Sequence, residues 1–75
     1  MAKRITSTVF YEYEDQWNEW GYKIVGENII YFSEDRKENQ GSEGTPTYYK
    51  DFINNPNVQG ELKNWAISYF GYQPE

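Results

Sequence analysis

The chain contains no cysteine and no histidine. Without cysteine there is no disulfide, no thiolate nucleophile and no thiolate metal site. Without histidine the usual near-neutral acid–base group and the commonest imidazole ligand are missing as well. Long hydrophobic runs are also lacking. The stretch from Ile29 to Phe32 is among the longest, against the roughly 20 residues of a membrane-spanning helix. Residues 5–9, behind Lys3 and Arg4, are too short and too hydroxylated for a secretory leader. Basic residues are scarce, seven against twelve acids for a net charge of −5. That balance opposes direct binding to nucleic acid or to an anionic membrane. No nucleophile elbow or Walker loop occurs, and Gly41-Ser42-Glu43-Gly44 lacks the lysine of a phosphate cradle. Residues 35–43 lack the ligand order of an EF-hand. The expectation is a non-enzymatic cytoplasmic protein with no cofactor and no metal.

What the chain has instead is rings: eight Tyr, four Phe and three Trp in 75 residues. A domain this small has one core and buries only about 60% of its unfolded surface. With no disulfide available, large rings are expected to supply that core. The expected unit is a single domain over residues 1–75.

Residues 4–14 are rich in β-branched and aromatic side chains and read as one strand. Ile5, Val9, Tyr11 and Tyr13 are its expected core face. Thr8, Phe10, Glu12 and Glu14 are its outer face. Gly26-Glu27 sits between two apolar runs, the pattern of a two-residue type II′ hairpin. Residues 34–44 contain nothing apolar and read as an acidic, polar, mobile loop. Thr45-Pro46 suits a helix start over 46–54, with a strand at 47–49 as the alternative. Val58, Leu62, Trp65, Ala66 and Tyr69 form one helical stripe. Asn55 or Asn57 is its expected cap, and Gly71 its stop. The fold class predicted is α+β: a three-stranded antiparallel meander with one or two C-terminal helices packed on one face.

Glu12, Glu14, Asp15 and Glu19 place four acids within eight residues and no base among them. Tyr11, Tyr13, Trp17 and Trp20 are interleaved with them. Charges on an edge strand deter aggregation, which is the plain reading. The functional reading is a recognition patch of Glu12, Glu14, Asp15, Trp17, Glu19 and Trp20, with aromatic anchors and acidic steering toward a basic protein surface. Carboxylates two residues apart on a strand lie about 7 Å apart, a spacing suited to mimicking nucleic-acid phosphates. In size, acidity and aromatic density the chain resembles small accessory proteins of phages and mobile elements, many of which occlude a basic surface of a host enzyme. The resemblance implies a protein-binding inhibitor. The alternative is an assembly module whose exposed aromatics hold a homo-oligomer together. A sugar-binding or glycosidase role for Glu12 and Glu14 needs a cleft that so short a chain hardly provides.

Overall fold

β-Branched and aromatic residues dominate the first half of the chain, and they build a sheet with more strands than the hydrophobic pattern implies. The computed structural model describes residues 3–73. The strands are β1 (Arg4–Ile5), β2 (Val9–Glu14), β3 (Asn18–Val25), β4 (Asn28–Asp35), β5 (Gln40–Glu43) and β6 (Thr47–Tyr48). Two helices follow, α1 (Tyr49–Asn54) and α2 (Gly60–Phe70). All strand pairs are antiparallel, in the order β1-β2-β3-β4-β5, with β6 beside β4. The three-stranded expectation is therefore corrected to a six-stranded sheet.

Two features account for the extra strands. Residues 4–14 are not one strand, because the chain reverses at residues 6–8. The Thr6 N–H donates to Val9 O at 2.8 Å, and the Val9 N–H donates to Thr6 Oγ1 at 3.0 Å. A hydroxyl thus closes a turn inside a stretch of strand-forming residues. The second feature is β5. It lies within the stretch read as a loop and pairs Gln40 to Glu43 with Asp35 to Phe32. All four of its residues are exposed, so it carries no apolar alternation to announce it.

β5 and β6 share the outer edge of β4, offset by one residue. Phe32 pairs with Glu43, whereas Ile29 pairs with Thr47. Thr45-Pro46 takes up the difference, and Pro46 has no N–H to give to a ladder. The strand alternative for 47–49 and the helix for 46–54 each hold in part. The helix begins at Tyr49, and Tyr48 precedes it without a side-chain cap. The hairpin at Gly26-Glu27 matches its expected type. Gly26 has φ +63° while Glu27 stays at negative φ, and Val25 pairs with Asn28.

A bulge at Glu12 decides which residues face the core. Tyr11 pairs with Gly21 and Tyr13 with Trp20, so Glu12 is the extra residue. Below it Phe10 points to the helices and is fully buried, which reverses the expected faces. The core is Phe10, Ile29, Phe52, Ile53, Leu62, Trp65 and Ala66. α2 follows its expected stripe through Leu62, Trp65 and Ala66, but Tyr69 is largely exposed. Gly71 ends the helix at φ +66°, its N–H donating to Ile67 O at 2.8 Å. Gln59, not Asn55 or Asn57, stands at the start.

The helices gather at one end of the sheet. The Tyr49 N–H donates to Glu27 O at 2.9 Å, and Trp65 Nε1–H donates to Thr6 O at 2.9 Å. The far ends of β2 to β5 project beyond them, and the molecule extends 42 × 23 × 21 Å. Among the described residues no helix is long and apolar enough to cross a membrane.

Candidate functional site

The projecting end is built from two hairpins whose tips are tied together. Residues 15–17 close β2 onto β3, and residues 36–39 close β4 onto β5. Asp15 organises the first tip. Its Oδ1 accepts the N–H groups of Trp17 (2.8 Å) and Asn18 (2.7 Å), and its Oδ2 accepts the Tyr13 hydroxyl at 2.5 Å. These donors favour the ionised form and hold the carboxyl down at about 2. The same bond raises the Tyr13 phenol above its ordinary value, because the hydroxyl proton is held by a carboxylate.

Arg36 joins the second tip to the first. Its backbone N–H donates to Trp17 O at 2.7 Å, and its guanidinium donates to Asp15 O at 3.1 Å. The same guanidinium pairs with the Glu19 carboxylate. Glu19 is only 8% exposed, so this pair supplies the cation that a buried carboxylate needs. Glu14 is held in turn by Arg4, through two bonds of 2.9 Å. The guanidinium stacks over the Tyr11 ring at 4.3 Å. Arg4 holds the Glu14 carboxyl below its ordinary range. Glu12, at the bulge, lies near Gln59, whose Nε2 is 3.5 Å from Oε2.

The four acids therefore do not form an uncompensated cluster. Glu14 and Glu19 have arginines from β1 and from the β4–β5 turn, and Asp15 is satisfied within its own turn. Counting bases only between residues 12 and 19 missed Arg4 and Arg36, which the strand pairing brings in from outside. The face assignment separates the candidates further. Pairing puts Tyr13, Trp20 and Ser33 on the helix side of the sheet, and Glu14, Glu19 and Glu34 on the opposite side.

The aromatics are a different matter. Trp17 stands at the tip, 49% exposed, and Trp20 is 37% exposed just inside it. The Trp20 indole stacks on Tyr13 with ring centroids 4.5 Å apart and planes 14° apart. These three rings lie where neither helix reaches. Tyr13 adds to the six residues expected from the sequence, and the one-residue shift at Glu12 is what sets it beside Trp20.

On the opposite face Val9, Tyr11, Lys23, Phe32, Glu34 and Glu43 bound a groove of about 580 Å³. Lys23 and Glu43 form an ion pair across it. Among the described residues no group of acids is arranged to hold a metal ion. The sequence matches no known family and no curated protein, and the fold matches no solved structure.

The Asp15 turn has a measurable pH signature. Its carboxyl titrates at about 2 when folded, against an ordinary 3.8, so the unfolded chain takes up the proton first. The stabilisation is complete above about pH 4 and is lost as pH falls from there toward 2. Denaturation of the protein and its Asp15→Asn variant is therefore expected to differ most near neutrality. The two midpoints should converge only as pH approaches about 2. A constant difference across that range contradicts the assignment.

Proposed function

We propose that this chain is a non-enzymatic, cytoplasmic protein-binding module whose partner presents a basic surface. One observation carries the reading: Trp17 and Trp20 stand 49% and 37% exposed at the end of the sheet that the helices leave uncovered. Exposed tryptophans on a rigid hairpin are costly for a free monomer and are the residue type most enriched among binding hot spots. Asp15, Tyr13 and Arg36 fix the hairpin, so little ordering entropy remains to oppose binding. The net charge of −5 steers a basic partner toward the surface and repels nucleic acid.

The internal bonds of Glu14, Asp15 and Glu19 count against phosphate mimicry, because those carboxylates already have their partners. The reading therefore rests on aromatic contact assisted by long-range charge. Self-association through the same rings brings two bodies of charge −5 together, which is unfavourable at low salt.

The test compares the protein with a Trp17→Ser/Trp20→Ser variant that gives the same circular dichroism and melting curve. Both are immobilised and exposed to extract from cells that express the chain, at low and high salt. A basic protein held by the parent, lost from the variant and weakened by salt is the expected outcome. Equal retention by both proteins overturns the reading, as does a concentration-dependent mass in light scattering that the variant abolishes.

A further inference from the structure

The edges of the sheet are not equally protected. β1 is two residues long and carries Arg4, and a short charged strand is a poor template for pairing. The near half of β4 is closed by β6. β5 forms the other edge. It has four exposed residues and contains no proline, no lysine and no bulge. Among the described residues no strand pairs with its outer side.

The ladder register identifies the backbone groups that face outward. The Gly44 N–H donates to Tyr31 O at 2.8 Å. Bonding alternates along an antiparallel pair, so residues 40, 42 and 44 turn their N–H and C=O groups to β4. Gly41 and Glu43 turn theirs away from it. We propose that this edge accepts an extended basic segment of a partner protein as a further antiparallel strand. The inference rests on the protein-partner reading above and adds to it the mode of contact.

Charge and alternation specify the segment. Side chains of the added strand opposite Gly41 and Glu43 project to the groove side of the sheet. There Glu34 has no ion-pair partner among the described residues, while Glu43 shares the exposed Lys23 and Glu19 is already held by Arg36. A lysine or arginine opposite Glu43 meets that carboxylate, and one opposite Gly41 reaches over the glycine toward Glu34, its cross-strand partner. The intervening residue, opposite Ser42, projects to the other face beside the Ser33 and Ser42 hydroxyls, which lie 3.3 Å apart. A small neutral side chain fits there. Gly41 has no side chain to crowd its opposite number. A second copy is the weaker occupant, because it sets one body of net charge −5 against another. Backbone bonds to Gly41 and Glu43 supply affinity, and the alternating side chains supply selectivity.

The probe is a blocked octapeptide of alternating lysine and threonine, added to the isotopically labelled full chain, with a glutamate–threonine peptide as control. Binding of the lysine peptide is expected to slow amide exchange at Gly41 and Glu43 by about tenfold. The amides of Ser42 and Gly44, already bonded to β4, should change little. High salt and Glu43→Lys should each weaken the effect. Gly41→Pro should abolish it with the fold intact, since proline on an outward edge position removes only the free donor. The proposal is overturned if neither amide is protected at a few millimolar peptide, or if both peptides act alike. Protection that grows with protein concentration alone overturns it in favour of a second copy. If the tryptophan-dependent partner is captured and these amides stay unprotected, the edge proposal fails alone. If no such partner is captured in either salt, the underlying reading fails with it.

Discussion

Replacing Gly21 with alanine is expected to leave the chain unfolded or without a cooperative transition. A Cβ at this position would lie 2.0 Å from Phe10 O and 3.0 Å from Glu12 N. Both obstacles are backbone, so no side chain can swing aside. They flank Tyr11, the residue paired with Gly21, and Glu12 is the extra residue that bends β2. Relieving the contact means separating the two strands at the point where Phe10 enters the core. The cost should exceed about 4 kcal/mol, in the range reserved for identifiable structural lesions. A domain of this size has a total stability of only about 5 kcal/mol. Gly60 is the internal control. It opens α2 with nothing within 4 Å of its missing Cβ, so Gly60→Ala should stabilise by about 0.5 kcal/mol. Urea denaturation followed by far-ultraviolet circular dichroism separates the two. A Gly21→Ala variant that unfolds cooperatively within 1 kcal/mol or so of the parent contradicts the geometry.

The parts of this fold legible in the sequence are those where hydrophobic period and turn chemistry agree. Gly26-Glu27 lies between apolar runs, and the spacing of Leu62, Trp65 and Ala66 ends at Gly71. Each of these signals is local and complete within about a dozen residues. The parts that were not legible depend on pairing. Thr6, Ser7 and Thr8 look like strand residues, yet the Thr6 hydroxyl caps a reversal there. β5 is held by β4 and not by its own composition, since Gln40, Gly41, Ser42 and Glu43 bury nothing. One bulge residue at Glu12 moves Tyr13 to the helix side and leaves Glu14 on the other. The candidate site divides in the same way. Trp17 and Trp20 are exposed together, as an aromatic-rich turn suggests. The acids beside them find cations 10 and 17 residues away in sequence, which only the sheet register brings close.

Trp65 carries the second large effect, because it connects the two ends of the chain. Its ring packs edge-on against Phe10 at 5.6 Å, and its indole N–H reaches Thr6 O across 59 residues. Trp65→Ala removes both contacts and leaves a cavity beside Phe10, at a cost of about 3–5 kcal/mol. Trp65→Phe keeps most of the ring contact and loses the donor. The partly buried Thr6 carbonyl is then left to water, so the cost should be nearer 1–2 kcal/mol. The two substitutions also differ in where they act. The alanine variant should lower protection throughout the core, at Phe10, Ile29 and Ile53 together, because these share one cluster with Trp65. The phenylalanine variant should loosen mainly residues 4–9, since the lost bond is the tie that holds the β1–β2 turn to α2. Thermal melts give the ranking, and amide exchange gives the location. Equal costs for the two variants would mean that the hydrogen bond, not the ring, is what α2 contributes to the sheet. A phenylalanine variant indistinguishable from the parent would mean that Thr6 and Val9 hold their turn without the helix.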